Sequence, residues 1–304
     1  MTGSIFKDDL FKGKVAFVTG GGSGICYGMV ESLMRHGANA TILGRREQVI
    51  TEAAATLSKA TGQQCLGVSG DVRKPESLKE AVRKTVEKFG RIDFVSSRGS
   101  RGDFEVGLAG NFLSPISGMS ENAFRTVLEI DSMGTFNTFK ATIDEVKKTQ
   151  GAYIAISATL HYKGTVMQAH VSAAKAAIDS LFNVIAVEYG PLGVRANIIA
   201  PGPIDGTEGV ARLIPKEIIE ESKKLIPLGR NGTIEDIANS GVFLFSPAAS
   251  YITGSVLVVD GGQVRETSSM RRCSWHNGSM SRSMTYPDFL LEGGDTRSAL
   301  AAKL

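Results

Sequence analysis

Short apolar runs alternate with longer stretches of helical periodicity from residue 14 to about residue 262. The runs are uninterrupted and rich in β-branched residues, which is typical of strands buried on both faces of a parallel sheet. They predict seven strands: Lys14–Thr19, Ala40–Leu43, Cys65–Val68, Ile92–Val95, Ala152–Ser157, Val194–Ile199 and Ser255–Val259. The intervening stretches predict helices at Gly24–His36, Glu47–Lys59, Pro75–Phe89, Glu121–Lys148 and Ser172–Tyr189. This alternation predicts an α/β fold, a doubly wound parallel sheet with helices on both faces.

The C-terminal residues, 263–304, differ from this body. They contain seven serines and five arginines and show no sustained periodicity. We therefore expect a single domain over residues 1–262, followed by a mobile and irregular C-terminal tail over residues 263–304.

Composition and charge exclude several classes of protein. The 304 residues are 42% hydrophobic and 21% charged, which is unlike a disordered chain. The formal net charge of +3 gives no electrostatic reason to expect a nucleic acid partner. Charged residues interrupt the N-terminal segment, and no run approaches the roughly 20 apolar residues that cross a bilayer. We expect a soluble, intracellular protein without membrane insertion.

The cysteines and histidines give no sign of a metal site. The three cysteines are far apart and lack a CxxC spacing, which argues against a disulfide framework and a structural zinc ion. The four histidines also lack ligand spacing, and a lone histidine is more often structural than metal-binding. The residues concerned are Cys26, Cys65, Cys273, His36, His161, His170 and His276. We expect no bound metal.

A glycine-rich segment, residues 19–26, joins the first predicted strand to the first predicted helix. A backbone without Cβ atoms lets a pyrophosphate approach the free N–H groups at a helix N-terminus. The spacing departs from GxGxxG and is closer to GxxxGxG with Cys26 in the last place. A plain tight turn is the alternative, but the strand–loop–helix context favours a dinucleotide site. The candidate cofactor-binding residues here are Gly20, Gly22, Ser23, Gly24 and Ile25.

The second and third predicted strands end in further candidate cofactor residues. A dinucleotide fold that prefers NAD places an acid after the second strand, whereas this chain has Arg45 and Arg46. Arginine can bind a 2′-phosphate in a bidentate manner, so NADPH is favoured; a solvent-facing charge at a helix start is the alternative. Asp71, at the end of the third strand, can accept from an adenine amino group or act as a helix N-cap.

These residues and four further strings resemble the short-chain dehydrogenase/reductase family over about residues 10–262. The strings are Ser172–Lys175, Val194–Asn197, Pro201–Pro203 and Asp260–Gly262. The resemblance implies a Rossmann-type fold and a catalytic Tyr-x-x-x-Lys pattern with an upstream Ser and Asn. Lys175 matches the lysine, but Val171 stands at the tyrosine position, Asp131 at the asparagine position, and Ala158, next to Ser157, at the serine position.

A narrower resemblance is to the peroxisomal 2,4-dienoyl-CoA reductases, a branch that lacks the tyrosine and uses an aspartate and a lysine. It is carried by Ala109–Leu113, Asn122–Phe124, Glu129–Asn137 and Pro203–Gly209. The resemblance implies NADPH-dependent reduction of a 2,4-dienoyl-CoA to a 3-enoyl-CoA, with hydride delivered to C5 and a proton to C2. Asp131 with an ordered water would furnish the proton, and Lys175 would hold the nicotinamide ribose; a helix-capping Asp131 and a solvated Lys175 are the structural alternatives.

The same resemblance implies further binding residues. The nicotinamide and pyrophosphate would contact Pro201, Gly202, Ile204 and Thr207, together with Asp71 and Lys175. The acyl-CoA substrate would contact Arg45, Arg73, Phe112, Ser120, Asn122 and Arg212. The family usually forms dimers or tetramers, so a homo-oligomer is expected.

One segment departs from the branch. Residues 96–108 are polar and glycine-rich where the branch passes from the fourth strand to Ala-Gly-Asn-Phe within a few residues, so they resemble an inserted loop. This departure and Val171 leave two alternatives open: another reductase of enoyl or ketoacyl thioesters, and a catalytically silent NADPH-binding protein.

The chain ends in Ala302-Lys303-Leu304, a conservative variant of the Ser-Lys-Leu peroxisomal address. After a body of this kind, the tripeptide indicates recognition by the peroxisomal import receptor. We expect a peroxisomal enzyme that acts as an auxiliary in the β-oxidation of unsaturated fatty acids.

Overall fold

The computed structural model describes residues 5–97, 112–207 and 222–265, and the short segments 275–276 and 279–280. The strands of the main sheet are β1 Val15–Thr19, β2 Asn39–Gly44, β3 Cys65–Ser69, β4 Phe94–Ser97, β5 Ala152–Ile156, β6 Arg195–Pro201 and β7 Val256–Val259. The helices are α1 Gly24–Arg35, α2 Glu47–Thr61, α3 Pro75–Phe89, α4 Glu121–Leu128, α5 Gly134–Thr149, α6 Ala169–Tyr189 and α7 Ile234–Phe245. A π-helical turn, Glu129–Met133, joins α4 to α5.

The seven strands are all parallel, in the order β3-β2-β1-β4-β5-β6-β7. The chain reverses its direction of winding at β1, whose neighbours are β2 on one side and β4 on the other. In such sheets ligands bind in the crevice outside the carboxyl ends of the strands at this switch point. This arrangement confirms the predicted Rossmann-type fold and indicates where the site lies.

Each face of the sheet is covered by its own layer of helices. Side chains alternate along a strand, so Phe17 of β1 packs among residues of α3, α5 and α6, while its neighbour Val18 packs among residues of α1, α2 and α7. Both side chains are buried. The continuous apolar runs in the sequence therefore reflect strands that are covered on both sides.

Local sequence signals account for most helix boundaries. Helix α3 starts with Pro75 and ends at Gly90, which has a φ of +77° in the left-handed region that glycine adopts without strain. Helix α7 was not predicted, although its start carries a capping box: the Thr233 hydroxyl accepts from Asp236 N, and the Asp236 carboxylate accepts from Thr233 N.

Helices α1 and α7 approach each other closely. An added methyl group at Gly28 of α1 would lie 2.1 Å from Ile234 Cγ2, and one at Gly241 of α7 would lie 2.5 Å from Met29 Sδ. At each of these two places, a glycine of one helix leaves room for a bulky side chain of the other. This close packing fixes the helix that follows the glycine-rich segment.

Several boundaries differ from the sequence-based prediction. The predicted insertion, residues 96–108, is wrong at its start: Ser96 and Ser97 belong to β4 and are buried, so an inserted loop begins no earlier than residue 98. Residues 98–108 lie outside the described residues. The predicted helix Glu121–Lys148 is helical throughout, but the π turn divides it.

Only part of the predicted tail can be compared with the structure. Gln263–Arg265 form a 3₁₀ turn, and Trp275–His276 pair with Ser279–Met280 in a short antiparallel ladder. The other residues of the predicted tail lie outside the described ones. Among the described helices, none is both long and apolar enough to cross a membrane.

Candidate active site

The glycine-rich segment between β1 and α1 is shaped as a cradle. Gly21 packs against β2, where an added Cβ would lie 2.6 Å from Ile42 Cγ2. Gly24 has a φ of +60°, and an added Cβ would meet nothing within 4 Å, so its outer side is open. Ser23 is the N-cap of α1, yet its hydroxyl makes no capping hydrogen bond. The arrangement presents a helix N-terminus to an anion.

Asp71 and Arg73 form a compact pair beside Arg45. The Asp71 carboxylate accepts from Arg73 N at 3.0 Å and from Arg73 Nη2 at 2.5 Å. Burial acts to raise the pKa of Asp71, but the hydrogen bonds from Arg73 and the charges of Arg73 and Arg45 outweigh it and lower that pKa. The N-cap alternative for Asp71 is wrong, because the N-cap of α3 is Lys74.

Asp131 and Lys175 meet in the interior of the protein. Lys175 Nζ lies 3.1 Å from Asp131 Oδ2 and donates to Ile156 O, at the end of β5, at 3.0 Å. Lys175 is 2% exposed and Asp131 is 6% exposed. The solvated alternative for Lys175 is therefore wrong. The π turn that carries Asp131 is tied to α6 by a hydrogen bond from Ser132 Oγ to Ala174 O.

The position of the family tyrosine is part of an apolar wall. Val171 is 2% exposed and packs in a cluster with Val127 of α4 and Ala174 of α6. Phe112, Leu128 and Leu160 lie against this cluster. A hydroxyl donor is thus replaced by a hydrocarbon surface suited to an acyl chain.

His170, next to this wall, was expected to be a structural histidine. His170 is fully buried, and its ring stacks on Phe112 with centroids 4.2 Å apart and planes at 25°. Burial lowers the pKa of His170, and the Asp131 carboxylate opposes this more weakly. The signal available in the sequence was its place directly before Val171, at the start of an apolar helix.

The segment between β5 and α6 is anchored by Asp179 of α6. His161 Nε2 lies 2.7 Å from Asp179 Oδ2, and Tyr162 donates its hydroxyl to the same oxygen at 2.6 Å. Burial acts to raise the pKa of Asp179, but the hydrogen bonds, above all that from His161, outweigh it and hold the pKa low. The segment that follows β5 is therefore fixed against α6.

Most of the remaining predicted residues either follow β6 or lie at the start of α4. Gly202 follows β6 and faces Asp260, Ile204 forms a parallel bridge with Gly232, and Thr207 donates its hydroxyl to Ile204 O at 2.7 Å.

Ser120 is the N-cap of α4 and accepts from Ala123 N at 3.2 Å, and Asn122 lies in the first turn of that helix. Arg212 lies outside the described residues.

Comparison with known proteins decides the family. A family model described as enoyl-(acyl carrier protein) reductase matches residues 20–263. The chain belongs to the short-chain dehydrogenase/reductase family. A peroxisomal 2,4-dienoyl-CoA reductase [(3E)-enoyl-CoA-producing] of Saccharomyces cerevisiae is 46% identical over 295 residues, covering 96% of this chain and 94% of its own. One of Danio rerio is 47% identical over 260 residues, covering 85% and 84%.

Solved structures of the family agree with the fold. A short-chain dehydrogenase from Bacillus anthracis superposes with a TM-score of 0.75 at 34% identity, covering 85% of this chain and 99% of its own. A citronellol catabolism dehydrogenase from Pseudomonas aeruginosa superposes with a TM-score of 0.73 at 28% identity, covering 86% and 99%.

Reductases of the short-chain family use a nicotinamide cofactor, and the residues present fit one. The open side at Gly24 and the uncapped start of α1 suit a pyrophosphate. Asp131 lies in the π turn after α4, and Lys175 of α6 reaches the carboxyl end of β5, which only β4 separates from β1 of the cradle. The site thus combines a dinucleotide cradle, a buried ion pair and an apolar wall, a set suited to reducing an apolar conjugated substrate. The structure describes no cluster of side chains that would hold a metal ion.

Proposed function

We propose that this protein is an NADPH-dependent 2,4-dienoyl-CoA reductase that forms a 3-enoyl-CoA. The observation that carries the proposal is the direct, buried Asp131–Lys175 pair beside Val171, where most of the family has a tyrosine. A ketone reductase needs an acid that protonates an alkoxide, and valine offers none. A conjugated thioester is reduced without such an alkoxide, which fits a site without the tyrosine.

NADPH would lie along the carboxyl edge of the sheet and, when bound, supply the hydride that adds to C5 of the substrate. Gly20, Gly22, Ser23, Gly24 and Ile25 would hold the pyrophosphate. Arg45 would bind the 2′-phosphate; its charge already acts on Asp71, so it lies at the predicted adenosine side of the site. Pro201, Gly202, Ile204 and Thr207 would bound the nicotinamide end.

Asp131 and Lys175 would handle the proton at C2. A carboxylate in an ion pair with lysine acts as a hydrogen-bond acceptor, so Asp131 would orient a water molecule that gives its proton to C2. The water would recover a proton from the Lys175 ammonium through the Asp131 carboxylate, and solvent would reprotonate the lysine. Lys175 would place a positive charge near the negative charge that develops on the substrate, and would hold the nicotinamide ribose. Its bond to Ile156 O fixes where that charge lies.

The acyl-CoA would enter along the wall formed by the Val171 cluster. Phe112, Ser120 and Asn122 lie on this side of the site, next to α4. Arg73, Arg45 and Arg212 are proposed to contact the CoA portion, although Arg73 is engaged by Asp71 and would exchange part of that pairing for a phosphate.

We further propose a peroxisomal location and a homo-oligomeric enzyme. Relatives from yeast, fish, rat and a plant carry names that place them in peroxisomes. Import would use Ala302-Lys303-Leu304, and the catalytic domain would comprise residues 1–262.

The deciding experiment is the loss of NADPH absorbance with 2,4-hexadienoyl-CoA, with acetoacetyl-CoA as the control substrate. We expect turnover with the dienoyl thioester, little with the ketone, and a preference for NADPH over NADH. Turnover of the ketone alone would assign the protein to a different reductase activity. Binding of NADPH without turnover of either thioester would show a silent member of the family.

A further inference from the structure

The imidazole of His170 is a buried polar group that the mechanism above does not use. Its relative exposure is 0%, and neither Nδ1 nor Nε2 has a hydrogen-bond partner among the described residues. A buried N–H without a partner destabilises a folded protein, so such a group is commonly completed by water or a ligand.

The ring is held in one orientation. It stacks on Phe112, whose own carbonyl accepts from Gln168 Nε2 at 2.9 Å. His170 lies in the first turn of α6, a helix fixed at its other turns by Lys175 and Asp179. The ring nitrogens therefore occupy defined places, as a preorganised donor requires.

His170 lies near the place where the thioester oxygen of the substrate is expected. His170 lies one helical turn before Ala174 on the same side of α6, and Ala174 O accepts from Ser132, the residue next to Asp131. The Asp131 charge also acts on the His170 ring. If Asp131 delivers a proton to C2, the thioester oxygen lies about 2.4 Å from that carbon, because both atoms are bonded to C1. The thioester oxygen therefore comes to lie among the polar groups next to Asp131.

His170 offers an N–H that has no partner among the described residues; the Ser157 and Ser172 hydroxyls are also buried without a partner there, but each lies on a shorter side chain. The Lys175 ammonium is engaged by Asp131 and by Ile156 O. Val171 and Ala174 provide only hydrocarbon. Burial keeps the imidazole neutral, and a neutral imidazole still carries one N–H donor.

We propose that the N–H of His170 donates a hydrogen bond to the thioester oxygen of the acyl-CoA and stabilises the negative charge that collects there during reduction. This inference rests on the proposed function and adds a catalytic residue to it. The bond exchanges no atoms or electrons; it strengthens as the oxygen becomes negative, which lowers the barrier.

The first test compares two variants in which a buried histidine is replaced by phenylalanine. His170→Phe keeps the ring stacked on Phe112 but removes the N–H, so kcat should fall about 10²–10³-fold while the melting temperature does not fall. His36 is the matched control, because it is also buried, but its Nδ1 lies 2.6 Å from Ser32 O. His36→Phe should lower the melting temperature and leave kcat within about twofold.

The second test measures binding in the complex with NADP⁺, where no reduction occurs. Hexadienoyl-CoA is compared with a hexadienyl thioether of CoA, which lacks the carbonyl oxygen. The unsubstituted protein should bind the thioester about tenfold more tightly, and His170→Phe should remove that preference by weakening thioester binding alone. His170→Gln, which retains an amide N–H, should recover part of the preference and of kcat.

A direct signature is the infrared carbonyl stretch of bound hexadienoyl-CoA labelled with ¹³C at C1. A hydrogen bond lowers this frequency, so it should rise in His170→Phe and return partly in His170→Gln. Full activity of His170→Phe, or equal loss of affinity for both CoA ligands, would overturn the inference. Failure of the unsubstituted protein to reduce hexadienoyl-CoA would instead overturn the proposed function.

Discussion

At the scale of single residues, the site depends on a few charged side chains whose partners are known. The Asp131 carboxylate has Lys175 within 3.1 Å in the interior, where charges interact strongly and unpaired charges are costly. Arg45 lies at a different point, among the groups that set the pKa of Asp71. The two residues therefore test different parts of the proposal, proton transfer and cofactor choice.

Asp131→Asn tests the proton relay. The amide keeps the shape of the side chain and can still accept from Lys175, but it cannot carry a proton. We expect kcat for hexadienoyl-CoA to fall about 10²–10⁴-fold, measured by steady-state kinetics. NADPH fluorescence on binding serves as the control for an intact site. Near-full turnover of Asp131→Asn would contradict the assigned role.

Val171→Tyr tests the apolar wall. The added ring crowds this wall, so the substitution should not improve the turnover of hexadienoyl-CoA, measured by the same steady-state kinetics.

Arg45→Asp tests the cofactor choice. If Arg45 binds the 2′-phosphate, the substitution should weaken NADPH binding by about 1–3 kcal/mol and leave NADH binding nearly unchanged. Arg35→Asp is the control, because Arg35 forms an exposed pair with Glu31 on α1. Titration calorimetry with both cofactors measures the difference. Equal losses for NADPH and NADH would show that Arg45 supports the fold rather than the phosphate.

At the scale of elements, the close approach of α1 and α7 determines how the phosphate cradle is supported. A methyl group at Gly28 would lie 2.1 Å from Ile234 Cγ2, a distance that forces a shift. We expect Gly28→Ala to destabilise the protein by about 1–3 kcal/mol in urea denaturation, although alanine favours helices.

Two further variants isolate that effect. Gly190→Ala is the matched control, because an added Cβ there meets nothing within 4 Å and its φ is −53°; the stability of this variant should not fall. Adding Ile234→Ala to Gly28→Ala should leave less destabilisation than the sum of the two single changes. Simple additivity would mean that the two helices relax apart at little cost.

At the scale of the whole molecule, the last three residues are expected to direct the protein to the peroxisome. A fluorescent protein fused to the N-terminus leaves the terminal carboxylate free for the import receptor. We expect punctate fluorescence that coincides with a peroxisomal marker, and dispersed fluorescence after deletion of Ala302–Leu304. Puncta that persist after the deletion would point to another targeting route.

Much of this architecture was predictable from the sequence, for identifiable reasons. The seven strands are buried on both faces, so their apolar runs stand out. Helix α7 was not predicted: it has only 12 residues and ends in a short apolar run, which periodicity alone does not distinguish from a buried strand, although Thr233 and Asp236 mark its start. Positions 131 and 175 were predicted by resemblance, but their direct pairing depends on how α6 docks on the π turn. His170 was treated as structural because a sequence does not show which buried polar groups lack partners.

The π turn at Glu129–Met133 also has a consequence for how this chain is compared with its relatives. A π turn holds one more residue than an α-helical turn spanning the same hydrogen-bonded gap. Removing one residue from it, such as Ser132, would turn the wide turn into an ordinary helical one, leave α4 and α5 in phase with each other, and displace the side chains of the turn itself, including Asp131. Asp131 would then no longer point to Lys175. A sequence alignment that opens or closes a gap in this turn therefore changes which residue faces the lysine, and with it the chemistry assigned to a relative.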